Sequence, residues 1–239
     1  MFDGKRILCI APCYNELYKI DKVVSRMDMS VVDEVLIVDD GSDDGSPDTA
    51  GALGATVIRL EKTLGVGVAI RTGIEYGIAN HFDIIVIIAG NNKDDPQEIP
   101  KLVSPITREG YDFIQGSRFR KGGNYGGMPV YRIAATKIHP LLFSLVSRRW
   151  VTDSTNGFRA FKTSLLQDTR INLRQDWLNE YELEPYLYYK VIRLGYKAGE
   201  VPVTKIYPPK TLGYTKMRPV VGWWSILRPL FLLGLGIRK

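Results

Sequence analysis

Ile10-Ala11-Pro12-Cys13-Tyr14-Asn15-Glu16 and Val38-Asp39-Asp40-Gly41-Ser42-Asp43-Asp44-Gly45-Ser46 each end an apolar run with a tight, acid-bearing turn. In an open α/β sheet, ligands bind in the crevice outside the carboxyl ends of the strands, so acids following two early strands read as one shared site. That pairing predicts a bound nucleotide. Asp43 and Asp44 are read as turn formers and Asp40 as a site residue, because short acids also bond their own backbone in turns. Gly65-Val66-Gly67 is a weak signal alone, since glycines serve helix entry and close packing as well as phosphate approach.

The elements that would position these residues are legible as runs. Residues 6–12, 34–39, 55–60 and 83–88 are short and rich in Ile and Val, with helical spacing or turn residues between them, which is the cadence of a parallel sheet. A helix is expected from Gly65 to about Gly77, and Asp95 before Pro96 reads as the N-cap of another. Asp112 to Gly116 and Ala198 to Thr204 read as strands, Ile133 to Val146 and Trp177 to Leu194 as helices. The expected fold is α/β, a mostly parallel, Rossmann-like sheet flanked by helices over residues 1–205. Residues 206–239 form a basic, amphipathic appendage.

Composition limits the alternatives. The chain has 239 residues, 45% apolar and 24% charged, enough for one domain with a full core. Cys9 and Cys13 lie about 13 Å apart along a strand, too far for a disulfide, and read as core thiols. His81 and His139 are not spaced as metal ligands. The net charge is +6, yet from Lys205 onward there are seven basic residues and no acid, leaving −1 for residues 1–204. The tail is therefore a cation, suited to an anionic surface.

Val220–Leu227 and Leu230–Ile237 are apolar runs split by Arg228-Pro229. A charge beside a proline at the midpoint opposes spanning. Trp223, Trp224 and Phe231 with flanking Arg and Lys suit a segment in the lipid headgroup region, against the alternatives of a dimer interface or a helix packed on the core. No export signal is evident at Met1, so the expected location is the cytosolic face of the membrane.

Taken together, the motifs resemble family 2 glycosyltransferases of GT-A fold, whose pattern is P-x-Y-N-E followed by D-D-G-S-x-D-G-[ST]. The resemblance covers residues 6 to about 205 and implies an inverting transfer from a UDP- or GDP-type nucleotide sugar. It points to Pro12, Tyr14, Glu16, Asp39, Asp40, Arg71 and Asn91 for the nucleotide, and brings the backbone at Gly65-Val66-Gly67 near it.

Family members usually carry Asp-x-Asp before the polar stretch that ends at Pro96; here those positions are Ala89 and Asn91. A hard divalent cation prefers charged oxygens, so Mg²⁺ or Mn²⁺ is expected to be held less firmly. Three outcomes are open. The metal binds through the diphosphate with Asn91 and Asp94; Lys93 supplies the positive charge, at least in part; or catalysis is lost.

The acceptor half resembles polyprenyl- and dolichyl-phosphate sugar synthases through Gln115-Gly116-Ser117-Arg118-Phe119 and Asp153-Ser154-Thr155-Asn156-Gly157-Phe158-Arg159-Ala160-Phe161. Arg118 and Arg132 are fourteen residues apart, as in members that hold an acceptor phosphate. Guanidinium groups suit that role through paired hydrogen bonds. Arg159 and Glu182 are further acceptor candidates, Glu182 with solvent exposure as its alternative. Asp153 is the expected base or nucleophile-orienting group. The acceptor is then polyprenyl phosphate or a lipid-linked saccharide. No nucleic-acid partner is expected, and a homo-oligomer is left open. A nucleotidyltransferase, or an inactive nucleotide-sugar-binding protein, is the alternative reading.

Overall fold

The computed structural model describes residues 1–208 and 221–238. Seven strands form one sheet in the order β3-β2-β1-β4-β6-β5-β7. They are β1 (Ile7–Cys13), β2 (Glu34–Asp39), β3 (Thr56–Arg59), β4 (Ile84–Ile87), β5 (Phe113–Ser117), β6 (Arg159–Lys162) and β7 (Ala198–Pro202). All neighbouring pairs are parallel except those of β6, which runs antiparallel between β4 and β5. Helices α1 (Leu17–Val24), α2 (Ser46–Ala52) and α4 (Ile99–Arg108) cover one face. Helices α3 (Val66–Ala79), α5 (Val130–Ser147), α6 (Leu183–Arg193) and α7 (Val221–Gly234) cover the other.

The Ile- and Val-rich runs become strands because both faces of the sheet are buried. Along β1, Leu8 and Ile10 enter one core while Ile7, Cys9, Ala11 and Cys13 enter the other, the alternation that a pleated strand imposes. Cys9 and Cys13 are free and buried, as expected. Burial pushes the Cys13 thiol up to about 12.

Three elements depart from expectation. β6 was not foreseen, because Arg-Ala-Phe-Lys carries no long apolar run. It is set by pairing with β4, Ile85 opposite Phe161. The expected helix from Trp177 begins only at Leu183, since residues 177–182 are drawn across the start of α3, where the Asn179 carbonyl accepts from Gly67 and Val68 N–H at 2.9 and 3.2 Å. Most of the two apolar runs split by Arg228-Pro229 lies in one helix, α7 (Val221–Gly234), which continues through Pro229.

α7 is packed on the domain as well as partly exposed. Leu230 and Leu233 join the core, and Arg228 donates to the Trp177 carbonyl and to Glu182 Oε1, both at 2.7 Å. Its outer side carries exposed Trp223, Trp224 and Phe231. Lys210, Lys216, Arg218 and Lys239 of the expected basic tail lie outside the described residues.

Candidate active site

The first two motifs meet at the carboxyl ends of β1 and β2, where Cys13 lies opposite Asp39. They are bonded to each other. Ser42 and Ser46 hydroxyls accept from Asn15 and Glu16 N–H at 2.8 and 2.7 Å, and Asp44 accepts from Leu17 N–H at 3.0 Å. Asp44 thus knits the turn. Asp40 accepts from Leu64 and Gly65 N–H at 2.7 and 3.0 Å, fixing the entry to α3, and burial raises its pKa above the usual carboxylate range. Asp39 spends Oδ2 on Ser42 N–H at 3.1 Å, while its buried Oδ1 accepts nothing from the described residues. A buried acceptor of this kind needs an explanation, and a ligand hydroxyl or amine beside it supplies one. Pro12 lies near the carboxyl end of β1, Tyr14 is partly exposed beyond it, and Glu16 pairs with Lys19 at 2.6 Å.

Arg71 is turned elsewhere. It donates to the Leu173 carbonyl at 3.0 Å and Asn179 Oδ1 at 3.1 Å, bracing the loop before α6 and not presenting itself to a nucleotide. With the α3 N-terminus capped by Asn179, the glycine-rich start serves close packing. A Cβ on Gly67 would come within 2.2 Å of the Leu178 carbonyl oxygen.

After β4, Asn91 Oδ1 accepts from Lys93 N–H at 3.3 Å, and Asp95 caps the next turn through Gln97 N–H at 3.1 Å. Asp94 is clamped by Lys205 Nζ at 2.6 and 2.7 Å. These residues do not fit a divalent cation: Ala89 has no donor atom, Asn91 is turned onto its own loop, and Asp94 is neutralised by a lysine. Among the described residues no three His, Cys, Asp or Glu side chains gather as a metal site. The expectation that Asn91 and Asp94 retain the metal is corrected accordingly. Lys93 is buried with its ammonium 5.4 Å from the centre of the Tyr207 ring. Burial, then the charges of Lys205 and Arg132, push its pKa down to about 7.

Beyond the end of β5, Arg118 forms a buried two-point ion pair with Asp153, Nε–Oδ2 at 2.7 Å and Nη2–Oδ1 at 2.8 Å. Arg118 also donates to Thr155 Oγ1 at 2.7 Å and to the Tyr207 hydroxyl at 2.8 Å. Burial works against the Asp153 carboxylate, but Arg118 outweighs it and holds the pKa below the usual range. Asp153 is thus a partner of Arg118, not an accessible base. Arg132 lies 5.5 Å from the Tyr207 ring centre, with Nη1 buried and without a bond to any described residue.

Arg159 and Glu182 are corrected as acceptor contacts. Arg159 gives its donors to the carbonyls of Gly157, Asn156 and Glu184 and pairs with the Glu184 carboxylate at 3.1 Å, tying β6 to α6. Glu182 anchors α7 through Arg228.

The residues missed at the sequence level are Lys205 and Tyr207. The segment carrying them threads between two loops, Ile206 N–H donating to the Lys93 carbonyl and Tyr207 N–H to that of Gly126, each at 2.8 Å. Val203, Lys205 and Tyr207 are buried alternately, a strand-like period visible in the sequence but overshadowed by the tail's charge. The expected domain boundary at residue 205 therefore cuts through the site.

His139 joins α5 to α7, with Nδ1 2.7 Å from Ser154 Oγ and Nε2 donating to the Ile226 carbonyl at 3.2 Å. Burial holds its pKa below the ordinary value, so the folded protein binds fewer protons here than the unfolded chain. The stabilisation is present above the ordinary histidine value of about 6.5 and is lost as pH falls through it toward the lower folded value. Urea midpoints should drop between pH 7.5 and 5.5 by more in wild type than in His139→Asn.

Known proteins resemble this chain in sequence and in fold. A dolichyl-phosphate hexose transferase of Haloferax volcanii is 31% identical, over 89% of this chain and 87% of its own. An undecaprenyl-phosphate mannosyltransferase of Micrococcus luteus is 29% identical, again over 89% and 87%. In fold, glucosyl-3-phosphoglycerate synthase of Mycobacterium tuberculosis, solved with Mn²⁺, uridine diphosphate and glucosyl-3-phosphoglycerate, superposes with a TM-score of 0.68 over 99% of this chain and 82% of that one, at 24% identity. The family model described as glycosyl transferase family 2 matches residues 9–170, well over half of the chain, and this protein belongs to that family of glycosyltransferases.

Proposed function

We propose that this glycosyltransferase moves a sugar from a UDP- or GDP-type donor to a polyprenyl phosphate, with inversion, at the cytosolic face of an anionic membrane. The observation carrying this reading is Tyr207, whose ring lies within 5.5 Å of both Lys93 and Arg132 and whose hydroxyl bonds Arg118. Cations for two phosphate groups thus share one wall. The relatives that act on dolichyl and undecaprenyl phosphate support the acceptor class.

In this reading Asp39, Asp40 and Tyr14 receive the nucleoside. An acceptor phosphate oxygen forms the new bond to the anomeric carbon as the bond to the diphosphate breaks, and nucleoside diphosphate leaves. The acceptor is already ionised near neutral pH, so no proton has to be removed. Asp153 then acts by holding Arg118, and Arg132 offers Nη1, which bonds none of the described residues, to the acceptor.

Membrane contact is supported by the outward faces of α5 and α7. Ile138, Leu141, Leu145, Trp150, Trp224 and Phe231 are exposed, with Lys137, Arg148 and Arg149 beside them. Exposed apolar patches rimmed by cations suit an anionic interface. Among the described residues no helix is long and apolar enough to cross a membrane. The protein should float with vesicles containing phosphatidylglycerol, and Leu145→Glu with Phe231→Glu should weaken binding about tenfold or more without lowering Tm; each buried apolar side chain is worth about 1.5–3 kcal/mol.

Labelled nucleotide sugars incubated with undecaprenyl or dolichyl phosphate test the reaction. Transfer with release of nucleoside diphosphate is expected. Release of pyrophosphate identifies a nucleotidyltransferase, and binding without turnover for every donor and acceptor identifies an inactive protein.

A further inference from the structure

β7 runs beside β5 and sets Glu200 opposite Gln115, two residues before β5 ends at Ser117 and the chain turns to Arg118. The Glu200 side chain is only 7% exposed, and no step of the transfer uses it. Arg120 Nη1 lies 4.0 Å away and is half exposed, too loose a pair to account for a buried acid. Hydrogen bonds account for it better. Oε1 accepts from Thr152 N–H at 2.9 Å and Asp153 N–H at 3.0 Å, while Oε2 accepts from Thr152 N–H at 2.9 Å and the Thr152 hydroxyl at 3.0 Å. The carboxylate thus seats the backbone of Asp153, whose own side chain grips Arg118 at Nε and Nη2.

A second connection reaches the other half of the ion pair. Ser117 Oγ lies 2.6 Å from Thr152 Oγ1 and accepts from Phe119 and Arg120 N–H at 3.2 and 3.3 Å, which ties down the turn carrying Arg118. An ionised carboxylate can only accept, so it sets the direction of the chain: Thr152 donates to Glu200, Ser117 to Thr152, and the two backbone N–H groups to Ser117. We propose that Glu200 is a positioning residue for the acceptor, which fixes the Asp153 backbone and, through Thr152 and Ser117, the turn after β5, and so orients the Arg118 guanidinium. This rests on the acceptor-phosphate reading above. Of the five N–H donors of Arg118, four bond Asp153, Thr155 and Tyr207. The fifth, on Nη1, bonds no described residue, and its direction follows the guanidinium plane that Glu200 helps to set.

Steady-state transfer to undecaprenyl or dolichyl phosphate, with donor and acceptor varied in turn, tests this on Glu200→Gln and Thr152→Val. Gln keeps an oxygen for the Thr152 and Asp153 N–H groups but sets an amide donor where Oε2 accepted; Val keeps the shape of Thr152 without its hydroxyl. Each should raise the acceptor KM about 3- to 10-fold, the range for one hydrogen bond, and leave the donor KM within about twofold of wild type. Both substitutions interrupt the same chain, so the double variant should be no worse than the more impaired single one. Glu200→Ala should lower Tm as well, whereas the acceptor effect of the other two should persist far below their own Tm.

Acceptor KM values within about twofold of wild type in both variants overturn the proposal while leaving the acceptor reading intact. A parallel rise in donor KM, or effects that multiply in the double variant, overturn it equally, because they mark general loosening or independent sites. Thr152→Val carries the test alone if Glu200→Gln does not fold. If the wild-type protein neither binds nor glycosylates undecaprenyl or dolichyl phosphate, the acceptor reading falls and the proposal with it.

Discussion

Asp153→Ala is expected to destabilise the protein by about 3–5 kcal/mol, the cost of leaving one partner of a buried ion pair uncompensated. Arg118 would remain in a buried site with its Nε and one Nη2 bond lost, keeping its bonds to Thr155 and Tyr207. Arg118→Met combined with Asp153→Leu should recover much of that loss, because apolar replacement of both charges avoids the desolvation penalty. Urea unfolding of the two single variants and the double variant measures the coupling. The kinetic counterpart is Asp153→Asn, which keeps the shape but not the charge. If Asp153 positions Arg118, the acceptor KM should rise more than kcat falls. A loss confined to kcat, with stability unchanged, would return Asp153 to the role of base.

The parallel strands and the two acidic turns were readable because each is local. A run such as Ile84-Ile85-Val86-Ile87 fits only a strand buried on both faces, and Asp40 follows such a run directly. The partners of charged residues were not readable, because they lie far apart along the chain. Arg118 and Asp153 are 35 residues apart, and Asp94 and Lys205 are 111 apart. Four arginines were expected at the ligands, Arg71 at the nucleotide, Arg118 and Arg132 at the acceptor phosphate and Arg159 elsewhere on the acceptor. Folding turns Arg159 and Arg71 into struts for backbone carbonyls, commits Arg118 to a carboxylate, and leaves Arg132 with a donor that bonds none of the described residues. A guanidinium serves carbonyl, carboxylate and phosphate through the same five donors, so residue type alone does not choose among these roles.

The same distinction applies to the C-terminal helix. Its apolar-basic composition reads as a surface segment, and one side of it is exposed. The other side is held by Glu182 and the Trp177 carbonyl, on the segment drawn across the start of α3, and by His139 of α5. The surface proposed to meet the membrane and the surface packed on the core, set against each other at the level of sequence, lie on one helix. Movement of α7 is thereby linked to the loop over the start of α3.

Gly67→Ala should expose that link. The added Cβ would fall 2.2 Å from the Leu178 carbonyl oxygen and 2.6 Å from that of Glu180, both backbone atoms that no rotamer change can move. The loop must lift, breaking the bonds from Gly67 and Val68 N–H to the Asn179 carbonyl. A loss of about 3 kcal/mol is expected, the upper end for over-packing. Gly51→Ala in α2 is the contrast: its Cβ meets only a Val57 methyl at an ordinary 3.7 Å, and the change should be neutral or stabilise by up to about 1 kcal/mol. The Gly67 effect should extend beyond stability, because the lifted loop carries Glu182 and Asn179, the partners of Arg228 and Arg71. Hydrogen exchange in Gly67→Ala should therefore speed up in α7 as well as at the start of α3. Protection of α7 unchanged from wild type would mean that the helix is anchored by His139 and its apolar contacts alone.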